Sequence, residues 1–299
     1  MHSTRRWFII HFLLIGFFLN ENRNALAQET LFIGAIPDQN PERLNRLYRL
    51  LCEELNKELD VPVRYIPVTN YPAAVSGFRT GSLDLVWFGG LTGVQARLQK
   101  PGAQVLAQRD IDLHFQSVFI ANLTSQIPIL KSQNELTLLK DRRFTFGSES
   151  STSGRLMPQH FLQQVGVSIN DFKGGYPGFS GSHDATLALV QSGSYEAGVL
   201  NKQVWETRLR RKKVEGSKVR IIWETPSYPD YHWLAQPDLD NRFGTGFTRK
   251  LQNFLLGLKK QSKTQSRILN LFGANRFIPA YDYQYKDIEL IGRQLGKIK

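Results

Sequence analysis

The sequence predicts an α/β protein of two lobes joined by two segments that cross between them. Strand-like runs alternate with helix-like runs twice along the chain, and an extended apolar stretch, residues 114–123, separates the two series. Length agrees, because roughly 270 residues beyond a removable leader suit two moderate domains with ample core.

In order, residues 31–36 form a short apolar run before Pro37, and 42–59 show helical periodicity with charges on one face. Residues 63–68 read as strand and 71–80 as a helix capped around Asn70. A strand over 83–88 ends in Gly89-Gly90, followed by a helix over 91–98 and a strand over 103–108. Such alternation predicts a parallel sheet with helices on both faces. After 114–123 the pattern restarts: short helix 135–140, strand 143–146, helices 154–165 and 182–192, strand 195–200, helix 202–211 and strand 219–224. The chain then runs extended over 231–235 before helices at 243–259, 264–272 and 285–295. Crossings near 113–122 and 222–235 divide it into a first lobe of 28–115 plus 230–299 and a second of 116–229. A ligand would lie between them, at the carboxyl ends of the strands.

Residues 1–27 are excluded from this reading. Arg5 and Arg6 precede an apolar run over 7–19, and Ala25-Leu26-Ala27 is a small-x-small cleavage site, which together predict a secretory signal peptide cleaved after about Ala27. The apolar run is short for a membrane span. Thr4-Arg5-Arg6-Trp7-Phe8-Ile9 also approaches a twin-arginine signal, so the export route stays open. The expected product is soluble and exported.

The full chain carries a formal charge of +12; residues 1–27 hold three of its 38 Lys and Arg and one of its 26 Asp and Glu, leaving +10. A basic balance fits nucleic acid, an anionic surface or the handling of small anions. The densest basic run, 208–213, lacks interleaved aromatics and reads as a solvated helix end, which argues against nucleic acid. The lone Cys52 has no disulfide partner in the chain and lies with Tyr48 and Leu55 on the apolar side of its helix, a core position.

The stretch richest in chemistry is Gly147-Ser-Glu-Ser-Ser-Thr-Ser-Gly154, between a strand and a helix. One helix cap needs one side-chain oxygen, whereas Ser150, Ser151, Thr152 and Ser153 stand in a row. With the free N–H groups of a helix start, they make an anion cradle. Pro158, lacking an N–H, places the helix start at about Gly154 to Arg155. Three other stretches fall on the same cleft: Asn70-Tyr71-Pro72 at a helix start, Trp87-Phe88-Gly89-Gly90 at a strand end, and Ser182-His183-Asp184 at another helix start. One ring of Trp87 and Phe88 belongs to the core and the other to a pocket wall. Tyr71 and His183 are candidate donors.

These residues, in this order, resemble the phosphate/phosphite/phosphonate-binding proteins of ABC transporters, and the similarity runs from about Leu31 to the C-terminus. A subgroup similar in Phe88-Gly-Gly-Leu-Thr-Gly-Val-Gln-Ala96 carries selenate- or phosphite-binding labels. The resemblance implies the type II periplasmic-binding-protein fold, closing by hinge motion, with an ABC permease and its ATPase as partners, a site in the periplasm, and no cofactor or metal. It implies that Ser151, Thr152, Ser153 and His183 hold the ligand oxygens from one lobe and Tyr71 from the other. Asp230 aligns with an aspartate that faces the ligand. An ionised carboxylate there repels bare oxyanions such as sulfate and selenate but accepts a hydrogen bond from a protonated one.

Two positions depart from the family pattern. Phe88 stands where tyrosine is frequent, which makes a more apolar wall suited to the P–H or P–CH3 face of phosphite or methylphosphonate. Gln203 aligns where aminoalkylphosphonate binders carry a glutamate, which argues for a small ligand. Catalysis is not expected: His183 and Asp184 are adjacent rather than arranged as a triad, and HExxH, GxxxxGK[ST] and G-x-S-x-G are absent. The expected ligand is phosphite or a short alkylphosphonate, or else phosphate; the alternatives are an exported domain that senses an anion, an enzyme of related two-lobe fold, and a binder of another tetrahedral oxyanion such as selenate.

Overall fold

A computed structural model describes residues 28–299; the leader and its cleavage site lie outside the described residues. The first lobe opens with β1 (Leu31–Ala35), α1 (Pro41–Leu59), β2 (Val63–Tyr65), α2 (Tyr71–Arg79), β3 (Leu85–Phe88), α3 (Gly90–Gln99) and β4 (Gln104–Arg109). The second comprises β5 (Ser117–Asn122), β6 (Phe144–Phe146), α4 (Met157–Gln164), β7 (Gly178–Phe179), α5 (His183–Gln191), β8 (Ala197–Asn201), α6 (Lys202–Arg210) and β9 (Val219–Glu224). The chain then returns through β10 (His232–Ala235), α7 (Leu239–Phe243), α8 (Phe247–Leu256), α9 (Lys263–Phe272), β11 (Phe277–Pro279) and α10 (Lys286–Gln294).

The sheets are mixed, not parallel as the alternation predicts. In the six-stranded sheet, ordered β11-β4-β10-β3-β1-β2, strand β10 runs antiparallel to both β3 and β4. In the five-stranded sheet, ordered β7-β6-β8-β5-β9, strand β5 runs antiparallel to both neighbours. The reason is topological. A strand arriving from the other lobe enters its new sheet from the cleft end, where the parallel strands finish, and so must run against them. The crossings are correspondingly shorter than the sequence suggests. Residues 117–122 and 219–224 are sheet strands, leaving 110–116 and 225–231 as connections, paired by the bridge Phe115–Tyr228.

Local chemistry explains the helix starts that matter to the site. Asn70 accepts the N–H of Ala73 at 2.8 Å and Pro72 follows Tyr71, so α2 begins with Tyr71 in its first turn. Ser182 and Asn201 cap α5 and α6 in the same way. Beneath them, Trp87, Tyr231, Trp233, Phe272 and Phe277 form one aromatic cluster at centroid distances of 5.2–6.0 Å. Cys52 is buried and unpaired, and burial pushes its thiol up to about 12, an inert core residue as expected.

Candidate binding site between the lobes

The serine-rich loop does not enter an ordinary α-helix. Residues Thr152–Leu156 make one π-helical turn, in which Leu156 N–H reaches Ser151 O at 2.9 Å, before α4 starts at Met157 with Pro158 in its first turn. The coil therefore opens two residues earlier than Pro158 alone indicates, and Thr152 and Ser153 fall in its first turn, where N–H groups lack intrahelical acceptors. Gly147 and Gly154 close the loop's neck: Gly147 N donates to Gly154 O at 2.8 Å. A Cβ on Gly154 would stand 2.9 Å from Ser151 Oγ and 3.2 Å from His183 Cε1, so the approach of the imidazole to the loop requires glycine.

Ser151, Thr152, Ser153, Tyr71, His183 and Asp230 are all at most 2% exposed. Ser151 Oγ accepts Gly154 N–H at 2.9 Å, and Thr152 Oγ1 accepts the N–H of Leu91, across the lobes, also at 2.9 Å. Each of these oxygens takes a backbone proton, which leaves its own O–H free to donate elsewhere. Ser153 Oγ and Tyr71 Oη make no hydrogen bond of normal geometry, although the Ser151 hydroxyl is near enough to Tyr71, and the Ser153 hydroxyl to Asp230, to lower each pKa. Burial first, and then the charge of Asp38, pushes the Tyr71 phenol well above its ordinary value, so its proton stays in place.

Asp230 supplies the one acidic acceptor of this set. Its Oδ1 accepts Gly90 N–H at 2.9 Å, while Oδ2 is buried without a partner. Burial drives its pKa up to about 7 against the Gly90 hydrogen bond and the nearby Thr152 and Ser153 hydroxyls. Gly89 lies against this group: a Cβ there would sit 3.2 Å from both Asp230 Oδ1 and Thr152 Oγ1 and 3.5 Å from Ile36 Cδ1. Phe88, before it, is fully buried with its ring edge-on to Phe78 at 5.9 Å.

A second network, which the sequence reading missed, joins the lobes beside this cluster. Tyr231 Oη donates to Asp38 Oδ2 at 2.9 Å, receives Asn201 Nδ2–H at 3.0 Å and stands 3.3 Å from His183 Nε2. His183 Nδ1 accepts Asn201 N–H at 3.4 Å, and burial holds the imidazole down to about 4, so it is neutral with its proton on Nε2. Asp38 is raised to about 6, chiefly by burial, with Tyr231 opposing. Gln203 turns away to Thr207 and Gly273; on α6 it is the cap Asn201 that reaches the network. The available signals were an Asn directly before a helix and a tyrosine next to Asp230.

The rim between the lobes is fastened at a third point. Asn40 N–H donates to Asp184 Oδ2 at 2.8 Å, His183 N–H donates to Asp38 O at 3.1 Å, and Arg208 holds Asp184 with two guanidinium nitrogens. Asp184→Asn is expected to weaken binding of every ligand about three- to tenfold without changing their rank order, because it loosens closure rather than the ligand's own contacts. Calorimetric titrations of two ligands check this; a changed affinity ratio would place Asp184 in the recognition set instead.

Two α/β lobes closed over a buried set of hydroxyl donors and the Asp230 carboxylate define a solute-binding protein of the periplasmic type. The sequence matches the ABC transporter, phosphonate, periplasmic substrate-binding protein family over residues 33–285, and the chain belongs to that family. Its members bind substrate for an ABC transporter and are not enzymes. The chain is 56% identical, over 91% of both lengths, to a probable ABC transporter phosphite binding protein, PhnD1, of Prochlorococcus marinus strain MIT 9301. It superposes on the structure of PhnD1 in complex with methylphosphonate with a TM-score of 0.88, covering 90% of this chain and 99% of that one. A binding protein component of an ABC phosphonate transporter from Pseudomonas aeruginosa, 20% identical, shares the fold with a TM-score of 0.76 over 90% of this chain and 87% of that one.

Proposed function

We propose that this protein captures a small phosphorus oxyanion with one apolar substituent, phosphite or methylphosphonate, between its lobes and delivers it to a membrane permease driven by its ATPase. One observation carries the reading: four buried hydroxyls with protons to give, Tyr71, Ser151, Thr152 and Ser153, converge with a single unpartnered carboxylate oxygen of Asp230. Several donors and one acceptor match an anion that keeps one protonated oxygen, and match sulfate poorly. His183 Nε2–H joins the donors once Tyr231 yields its place. Ile36 lies beside Gly89, and on this reading Phe88, the residue before it, completes the apolar side for the P–H or P–CH3 group. The names attached to PhnD1, phosphite for the protein and methylphosphonate for its complex, support the same ligand class.

The lobes divide at 115/116 and 229/230 on this reading, in keeping with strand membership of the two sheets. Export to the periplasm fits the family, and on this reading the leader is cleaved after about Ala27, at the small-x-small site. Closure excludes water, which strengthens each charged hydrogen bond. The test is calorimetric titration of the mature, ligand-stripped protein with phosphite, methylphosphonate, aminoethylphosphonate, phosphate, sulfate and selenate. Tight binding confined to phosphite and methylphosphonate is the expected result. Preference for sulfate or selenate would overturn the assignment, and silence across the panel would favour a different ligand class.

A further inference from the structure

Along one flank of the seam between the lobes runs a groove that the ligand site does not use. One wall is α6 of the second lobe and the other is the turn that ends α9 of the first, with the crossing residues Ile111 to Gln116 at one end. It consists of two adjoining cavities of about 420 and 330 Å³ that share Arg210, Gly273 and Asn275. Its lining carries Lys202, Arg210, Arg211 and Lys260 against one carboxylate, Glu206. Glu206 stands 3.8 Å from Arg210, Lys202 pairs with Glu224, and Lys260 donates only to the neutral Asn275.

The groove exists as a unit only when the lobes are together. Its walls meet at Gly273, in the left-handed conformation at φ +71°, where a Cβ would lie 1.8 Å from Gln203 Nε2. Gln203 is 8% exposed, and its Oε1 has no partner. Closure also gathers like charges across the seam: Arg43 of α1 is buried, and its pKa is pushed down to about 10 by burial first and then by Arg211 and Arg208 of the other lobe. An anion placed along this flank offsets a repulsion that only the closed protein has, so it binds the closed protein better than the open one.

We propose that this groove docks an acidic segment of the membrane partner and does so selectively on the closed, loaded protein. The inference rests on the transport reading above. Arginine forks suit carboxylates, and the groove is concave, with an amide on its wall that a narrow peptide segment reaches and a flat layer of lipid headgroups does not.

The experiment uses the mature protein and the variant Arg210→Glu/Lys260→Glu, whose side chains are exposed, make no contact with the ligand site and are not among the cations that act on Arg43. Calorimetry with methylphosphonate comes first and is expected to give affinities within twofold of each other. The permease–ATPase complex in proteoliposomes then reports ATP hydrolysis stimulated by the loaded protein. Stimulation is expected to fall more than tenfold in the variant, and in the wild type to weaken steeply between 50 and 300 mM salt. Undiminished stimulation by the variant overturns the proposal. So does a variant that loses only its binding to phosphatidylglycerol vesicles while stimulation persists, since the face then belongs to lipid. Failure of the wild-type protein to bind methylphosphonate or phosphite would instead sink the transport reading, a different and separately visible outcome.

Discussion

Asp230→Asn is expected to reverse the selectivity of the site. The amide oxygen still accepts Gly90 N–H, but an N–H group now stands where Oδ2 stood, so the site offers a donor in place of its acceptor. A singly protonated phosphonate loses a charge-assisted hydrogen bond, about 1.5–3 kcal/mol, or roughly ten- to a hundredfold in affinity. Sulfate should become a measurable ligand. The wild-type protein makes the same change by itself as pH falls. Burial raises Asp230 from its usual 3.8 to about 7, so the carboxyl is mostly ionised at pH 8 and mostly protonated at pH 6. If sulfate requires the protonated form, its affinity rises about tenfold over that interval and is flat in the variant. Titrations at pH 6, 7 and 8 measure this directly. A wild-type protein that ignores sulfate at pH 6, together with a variant that ignores it throughout, would remove Asp230 from the selectivity argument.

The second large effect concerns the hydroxyl loop. Ser151→Ala/Thr152→Ala is expected to weaken phosphite and methylphosphonate at least a hundredfold, since two hydroxyl donors to an anion are withdrawn at about 1.5 kcal/mol or more each. Thr152 has a second duty, accepting Leu91 N–H from the other lobe, so Thr152→Ser separates the two causes. It keeps the hydroxyl and should bind within a few fold of wild type. Unfolding midpoints of both proteins, followed by circular dichroism, establish that the fold is intact. Affinity within fivefold of wild type for the double variant would assign these hydroxyls to capping alone.

Much of this was readable from the sequence because it depends on local chemistry. The Asn and Ser caps placed two helix starts, and the hydroxyl row with Pro158 placed the loop to within two residues of where the coil opens, since caps and turns are decided within four or five residues. The π-turn was not readable, because the hydroxyl row gives no sign of how widely the coil opens. Nor were β7, two residues long, and β11, which ends in Pro279. The antiparallel course of β5 and β10 depends on how the chain crosses between lobes, which periodicity does not record. The Asp38–Tyr231–Asn201 network was invisible for a related reason. Its three members lie 30 or more positions apart, and each alone passes for a turn former, a core aromatic or a helix cap.

The placement of β10 has a consequence for how the chain is made. It is an interior strand of the first sheet, between β3 and β4, yet it is synthesised only after the whole second lobe. Until Ala235 has left the ribosome, β3 and β4 each lack the strand that lies between them, and the hydrophobic surface they share with Trp233 cannot close. For most of translation the first lobe is thus held short of its native state by its own chain order. A lobe that waits this long for an interior strand folds through long-range pairing, which is slow and leaves strand edges open to other chains in the meantime.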